Sequence, residues 1–351
     1  VQYLLLISLK YSYSYHMQEQ TKPSVVVVGG GTGTHTVLRG LKRYADRITI
    51  TAVVSMADSG GSTGRLRDAF GYLPVGDVRM ALAALASDVD AHEELMRELF
   101  LYRFGKGEGL SGHNFGNLLL TALTDLVGSE AEAVAAASRI LRVRGAVLPV
   151  TDVNVALCAE YDDGVVVKGE HLIDDPPRER YARHIERLFT EPEGMVTEAA
   201  ATALRTADLI VLGPGDLYSS LLANCVIDGV SEAIVRAPGT FVFVANLMER
   251  PGQTVGMSVA DCVEEVARYV GREPDVIIVN DAPLPQDEVA YYEASEGTAP
   301  VVDDAGRRPG RVIRTPLIAH TVPGRHDADT VKRSLIRHDA DLLADALRTL
   351  W

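Results

Sequence analysis

The sequence predicts an α/β protein: a doubly wound, mostly parallel sheet with helices on both faces and an antiparallel hairpin insert. Three observations carry this. Unbroken apolar runs, Val25–Val28 (VVVV) and Leu209–Leu212 (LIVL), fit strands buried on both faces. Segments with helical apolar spacing alternate with such runs along most of the chain. Mid-chain, two β runs flank Asp162-Asp163-Gly164, and Asp-Gly between β runs is a hairpin signal.

Taken in order, Val25–Val28 is the first strand and His35–Tyr44 a helix with Val37, Leu38 and Leu41 on one face. Ile48–Ser55 is the second strand, so the chain opens as a βαβ unit with a glycine corner. Val78–Ala86, Glu93–Tyr102, Leu118–Leu126 and Ala131–Arg142 are rich in good helix formers. Val155–Tyr161 and Val165–Leu172 form the hairpin, and with DDPPRERYARH they mark an antiparallel insert of about 50 residues, roughly 151–195. Alternation then resumes with helix Ala199–Thr206, strand Leu209–Leu212, a helix opened by GPGDLYSS, strand Thr240–Ala245, helix Val259–Val270 and strand Val276–Val279. Beyond Asp281 a Pro-, Asp- and Arg-rich segment wraps or frays before a final helix over Ala340–Leu350. The organisation expected is a disordered tail at 1–22, ahead of a start at Met17, one domain over 23–330 and a C-terminal helix in 331–351. No repeat or low-complexity tract stands out.

With 351 residues, 47% hydrophobic and 23% charged, the composition is that of a globular protein. The net charge of −14 comes without a Lys/Arg block. This argues against nucleic acid and anionic membrane surfaces as partners, while a few amides and arginines can still attract one small anion locally. Cys158, Cys225 and Cys262 are scattered and flanked by apolar residues, which predicts buried thiols in a reducing compartment rather than disulfides or a zinc site. The apolar run Tyr3–Leu9 is shorter than the roughly 20 residues a bilayer span needs, and it lacks the flanks of a signal peptide. The expected location is cytoplasmic.

In an open α/β sheet ligands sit beyond the carboxyl ends of the strands. After the first strand comes Gly29-Gly30-Gly31-Thr32-Gly33-Thr34. Glycines let backbone amides approach a ligand, and the helix that follows adds its unpaired N–H groups and dipole, so a phosphate or diphosphate fits there. The loop is not a Walker A motif, because no GK[ST] follows, and its G-x-G-x-x-T pattern is a poor NAD fingerprint. After the second strand comes ADSGGSTGRLR. Ser59, Ser62 and Thr63 offer hydroxyls, Gly60 and Gly61 offer amides, Arg65 and Arg67 offer charge, and Asp58 suits a ribose hydroxyl or a metal. The alternative is that these serines only cap a helix beginning near Gly64. Asp77 and Arg79 in PVGDVR read equally as ligand groups or as an internal ion pair. His113, Asn114 and Asn117 sit at a helix start, where the amides suit a base or sugar and His113 reads as a hydrogen-bonding residue more than an acid–base group. Gly213-Pro214-Gly215-Asp216, Asn246 and Asn280 end three further strands. Five such ends at one rim make a site.

These motifs in this order (GGGTG after a valine strand, DSGGSTGRLR, PVGDVR, LSGHNFGNL, LGPGDLYSS and a late VN pair) resemble the gluconeogenesis factor family, also called YvcK-like proteins. That family shares a superfamily with 2-phospho-L-lactate transferase, an enzyme of deazaflavin coenzyme synthesis. The resemblance covers roughly residues 24–325. It implies a Rossmann-like fold, binding of UDP-activated sugars such as UDP-N-acetylglucosamine, and a cytoplasmic regulatory role in carbon metabolism, cell-wall precursor supply and cell shape. The family usually has a second acid where Ser59 stands and a serine where Asp216 stands. This weakens a two-carboxylate metal site at 58–59 and leaves Asp58 and Asp216 as a split pair. MADSGG and PVGDVR replace the NTGDD-like and PDLDT-like segments of the transferases, which favours the regulator branch.

The leading expectation is a nucleotide-sugar-binding regulator. Gly29–Thr34 would hold the diphosphate, Arg65 would add charge, and Asn114, Asn117, Asn246 and Asn280 would read uracil, ribose or sugar. No catalytic residue is expected, because no nucleophile–base constellation stands out, and no cofactor is required. The second reading is a Mg²⁺-dependent transferase of the phospholactate type using a guanylylated donor, with the ion near Asp58 and Asp77. An NAD-dependent oxidoreductase ranks third. The partners on this reading are a small-molecule nucleotide sugar, a protein of cell-wall precursor metabolism and a second copy of the chain.

Overall fold

Val25–Val28 are shielded from solvent, and they form the middle of an interior strand of the main sheet. The computed structural model describes residues 22–319 and 335–351, so the tail expected over residues 1–22, with Met17, lies outside the described residues except for Lys22. The strands are β1 (Ser24–Gly29), β2 (Thr49–Val54), β3 (Ala146–Pro149), β4 (Ala156–Tyr161), β5 (Val166–Lys168), β6 (Ile185–Glu191), β7 (Leu209–Leu212), β8 (Thr240–Val244), β9 (Val276–Asn280) and β10 (Arg311–Thr315). Seven of them form one sheet in the order β10-β9-β8-β7-β1-β2-β3, and every pairing in it is parallel. β4, β5 and β6 form a separate antiparallel sheet in the order β5-β4-β6, which is the predicted insert.

From β1 the chain winds outward through β2 and β3, then returns to the other side of β1 as β7 and winds outward through β8 to β10. The winding direction therefore reverses between β1 and β7, and the carboxyl ends of these two strands flank a crevice of the kind in which open α/β sheets bind ligands.

Helix α1 (Gly31–Leu41) lies on the sheet through Val37, Leu38 and Leu41. It starts four residues earlier than the apolar pattern suggests, so the last four residues of the glycine loop are its first turn. The C-terminal helix Ala340–Leu347 packs against its back. At Gly40 any Cβ would stand 2.0 Å from the Ala340 carbonyl oxygen, so glycine is what allows this close crossing. Asp341 pairs with Arg43 at 2.7 Å, and Leu343, Ala344 and Leu347 join the main core. Five more helices fill the span between β2 and β3: α2 (Gly61–Phe70), α3 (Gly76–Leu85), α4 (Ala91–Leu101) and α5 (Phe115–Val127) bear on the site, and helix Glu130–Ile140 follows.

Two expectations are corrected. The strand read over Val165–Leu172 stops at Lys168, where Gly169 turns at φ +115° and Glu170–Asp174 becomes a short helix. The segment after Asp281 forms helix Gln286–Ser295 and then β10, an ordered edge strand on β9. The three cysteines are free and buried, and burial pushes the Cys225 thiol up to about 12. Among the described residues no helix is long and apolar enough to cross a membrane.

Candidate functional site

The loops that follow β1 and β7 interlock. At Gly33 a Cβ would stand 2.1 Å from the Pro214 carbonyl oxygen, so only glycine lets the first turn of α1 meet the Gly213–Asp216 loop. Asn246, just past β8, clamps that loop from behind. Its Oδ1 accepts from the Gly215 amide at 3.1 Å, and its Nδ2 donates to the Gly215 carbonyl at 2.7 Å. Gly31 takes φ +63°, a left-handed conformation disfavoured for side-chain-bearing residues. Its amide donates to Asp77 Oδ1 at 2.8 Å, and a Cβ at Gly30 would stand 2.2 Å from Asp77 Oδ2. The bare backbone at the start of α1 thus already holds an oxyanion, and that oxyanion is the chain's own carboxylate. The Thr34 hydroxyl in the same turn is buried without a hydrogen-bond partner.

The second loop is anchored to α5. Asp58 Oδ1 accepts from the Gly60 amide at 2.9 Å. The Ser62 hydroxyl meets His113 Nδ1 at 3.1 Å and accepts from the Asn114 amide at 3.2 Å. Asn117 Nδ2 donates to the Thr63 hydroxyl at 3.2 Å. Asn114 caps α5 through the Asn117 amide and donates to the Leu101 carbonyl at 2.9 Å. Arg65 donates to the Ser111 carbonyl at 3.2 Å through both terminal nitrogens. Burial, then Arg65 and Arg103, lower the His113 imidazole. Helix α2 begins at Gly61, so Ser62 and Thr63 lie inside its first turn rather than in an open loop.

The insert closes over both loops. Its short helix meets the second loop through Ser59, whose hydroxyl lies 2.7 Å from His171 Nδ1 and accepts from the His171 amide at 3.1 Å. It meets the β7 side through Asp174, which accepts from the Ser219 hydroxyl at 3.1 Å and pairs with Arg250 at 3.0 Å. Arg250 also faces Asp216 at 3.4 Å. Ser219 lies in the π-helical turn Leu217–Leu222 that replaces the helix expected from GPGDLYSS, and the Gln253 side chain holds that turn by accepting from the Tyr218 amide at 3.1 Å.

The result is a crowd of carboxylates. Burial and the neighbouring Asp58 push Asp77 up to about 7, against the pull of the Gly31 amide and Arg79. Burial likewise raises Asp58, and burial with Asp58, Asp174 and Asp77 raises Glu170 well above the usual range. Burial pushes Asp216 up to about 7 although Arg250 opposes it. Like charges brought this close cannot all ionise cheaply. Among the described residues no three His, Cys, Asp or Glu side chains converge to hold a metal ion. Asp58 and Asp216, the split pair, are engaged by different partners.

The structure thus brings Gly29–Thr34, Asp58–Gly60, Asp77 and Gly213–Asp216 together, with Arg79 next to the two aspartates. His113 and Asn117 meet α2 through Ser62 and Thr63, Asn114 holds the start of α5, and Asn117 Oδ1 is buried without a hydrogen-bond partner. Asn280 lies at the end of β9, three strands from β1, and its side chain holds Ala282 and Leu317. Glu170, His171, Asp174, Ser219, Arg250 and Gln253 escaped the sequence reading. Following the segment after β8 beyond Asn246 would have reached Arg250 and Gln253. A cavity of about 510 Å³ on helix Val259–Val270, lined by Met257, Asp261, Glu264 and Arg308 among others, shares no residue with these loops.

Comparison with known proteins gives the family. A family model described as 2-phospho-L-lactate transferase CofD matches residues 25–318. A protein named gluconeogenesis factor from Bacillus subtilis is 39% identical over 329 residues, covering 91% of this chain and 96% of its own. One of the same name from Listeria innocua is 38% identical over 325 residues, covering 92% and 94%. A crystal structure of a UPF0052 family member from Bacillus halodurans superposes with a TM-score of 0.81 at 35% identity, covering 93% of this chain and 99% of that one. With matches of this extent, the chain belongs to the CofD/YvcK family, alongside its gluconeogenesis factors.

Proposed function

We propose that the crevice between β1 and β7 binds a nucleotide sugar of the UDP-N-acetylglucosamine class, and that the protein is a cytoplasmic regulator of carbon metabolism, cell-wall precursor supply and cell shape. The observation that carries this reading is the Gly31 amide with a carboxylate oxygen at 2.8 Å: the start of α1 already receives an oxyanion. A diphosphate oxygen is a charged acceptor of the same kind and takes the place of Asp77 there. The surrounding carboxylates suit the rest of such a ligand, because ribose and sugar hydroxyls are donors and Asp58, Glu170 and Asp216 offer acceptors. The name borne by the Bacillus subtilis and Listeria innocua relatives supports the link to carbon metabolism.

The carboxylate crowd and the family model's description favour a second reading, a transferase of the 2-phospho-L-lactate type acting with Mg²⁺. The donor set fits that ion poorly. Asp174 is paired with Arg250, and no three acids converge to hold a metal ion among the described residues.

Thermal stabilisation across a ligand panel separates the readings. A ligand at 100 times its dissociation constant adds about 2.7 kcal/mol. UDP-N-acetylglucosamine raising the midpoint without Mg²⁺ supports the regulator. A Mg²⁺-dependent rise with GDP or a deazaflavin alcohol supports the transferase, and a rise with NAD alone overturns both.

A further inference from the structure

One turn beyond the glycine loop the character of α1 changes. His35, Arg39 and Lys42 recur at i, i+4 and i+7 and so share one side of the helix. This is the flank beside the aliphatic face that packs on the sheet, opposite the one crossed by the C-terminal helix. Arg79 comes from α3, which lies alongside α1, and Arg97 from α4, on that helix's inward side between Glu93 and Phe100. All four cations act on the partly buried His35 imidazole, and together with burial they lower it to about 3.

Carboxylates near these cations are engaged elsewhere. Asp88 holds Lys42 at 2.7 Å. Glu93 accepts from the Ser87 hydroxyl at 2.6 Å and from Arg142 at 2.7 Å. Asp77 faces Gly31, and the charge of Arg79 acts on Asp77 and Asp58. Glu94, one turn before Arg97 on α4, makes no ion pair with it, and Glu98 is exposed beside it. Among the described residues no carboxylate pairs with Arg39 or Arg97, and Arg97 Nε is buried without a hydrogen-bond partner. A buried guanidinium nitrogen without an acceptor is costly to keep. Its survival in a chain of net charge −14 asks for an external acceptor.

We propose that the cluster of His35 and Arg39 on α1 with Arg97 on α4 is a second binding site that takes a small oxyanion, a phosphate monoester or a compact polycarboxylate. Guanidinium groups from different helices grip such an anion by two-pronged hydrogen bonds. His35 completes the pocket as a neutral donor and gains a proton when the anion's charge arrives. The site is separate from the crevice, whose donors are the amides at the start of α1, and it does not depend on what the crevice binds.

The test follows the histidine side chains of the full chain by nitrogen-15 NMR, with His35 assigned by its loss in His35→Gln. Inorganic phosphate, citrate and a sugar phosphate are titrated in turn, and the strongest of the three names the source. The expected result is a saturable shift of the His35 signal and a rise of its titration midpoint. Arg97→Gln and Arg39→Gln should each weaken binding about tenfold or more, the loss of one charge-assisted contact, while any midpoint gain from UDP-N-acetylglucosamine stays as in the parent. If Arg97→Gln does not fold, Arg39→Gln on the exposed edge of α1 carries the same expectation. The proposal fails if none of the three anions moves the His35 signal, or if they bind the Arg39 and Arg97 variants as tightly as the parent.

Discussion

The first helix has two ends of opposite character. At its start the backbone amides face Asp77, with Asp58, Glu170, Asp174 and Asp216 gathered around. One turn further its flank faces Arg39, Arg79 and Arg97. The acidic end is a network in which Asp58, Asp77, Asp174 and Asp216 each have a partner within the chain, and burial raises Asp58, Asp77, Glu170 and Asp216. On the basic flank, no carboxylate among the described residues pairs with Arg39 or Arg97, and Arg97 Nε is buried without an acceptor. A region that satisfies itself can be opened by a better ligand, whereas a region with surplus donors is incomplete without one.

Four experiments break or sharpen this contrast. The largest effect is expected from Gly33→Leu. The new side chain meets the Pro214 carbonyl, which is backbone and cannot swing away, so overpacking should cost about 1–3 kcal/mol and pry the β1 and β7 loops apart. Thermal melting should show the drop, with phosphate binding at the basic flank retained. Gly31→Val comes next. The left-handed backbone there makes a branched residue strained by about 1–2 kcal/mol, and the midpoint gain from UDP-N-acetylglucosamine should vanish while the protein stays folded. A variant that binds as tightly as the parent removes the start of α1 from the crevice reading.

The third is a pH profile. Asp77 and Asp216 sit at about 7 in the folded chain, above the roughly 3.9 of an unfolded aspartate. The native state therefore holds more protons than the unfolded one between about pH 4 and 7, and stability falls as pH rises through that window. Asp77→Asn keeps an acceptor for Gly31 and removes the ionisation, so it should raise the melting midpoint above pH 7 and flatten the slope. An unchanged slope would place the crowding elsewhere. The smallest effect is expected from Ser59→Ala, which removes two contacts to His171 at a partly exposed site and should cost about 1 kcal/mol or less. Faster amide exchange confined to Glu170–Asp174 is its signature.

The sheet was legible because its evidence is local. Val25–Val28 and Leu209–Leu212 can hardly be anything but strands buried on both faces, and the glycines after Val28 announce bare backbone whatever else the chain does. Local reading erred where a neighbour decided. It began α1 at His35 because glycine and threonine are poor helix formers, yet Gly31–Thr34 are held in the first turn between Asp77 and Pro214. It carried the strand past Lys168 because nothing before Glu170 says that Ser59 waits to receive the next turn. It read RVIRT as part of a wrapping segment because that strand exists only by pairing with β9. The asparagines illustrate the same limit: Asn114, Asn117, Asn246 and Asn280 are well chosen for holding loops, and a residue type alone does not say which way its amide points.

By itself the sequence determined where the backbone would be buried and where it would be bare, because steric and hydrophobic preferences act over a few neighbouring residues. The tertiary structure alone decided which charges meet. Asp77 reaches Gly31 across 46 residues and His171 reaches Ser59 across 112. Electrostatic and hydrogen-bond energies depend on separation in space, and folding sets that separation without regard to distance along the chain.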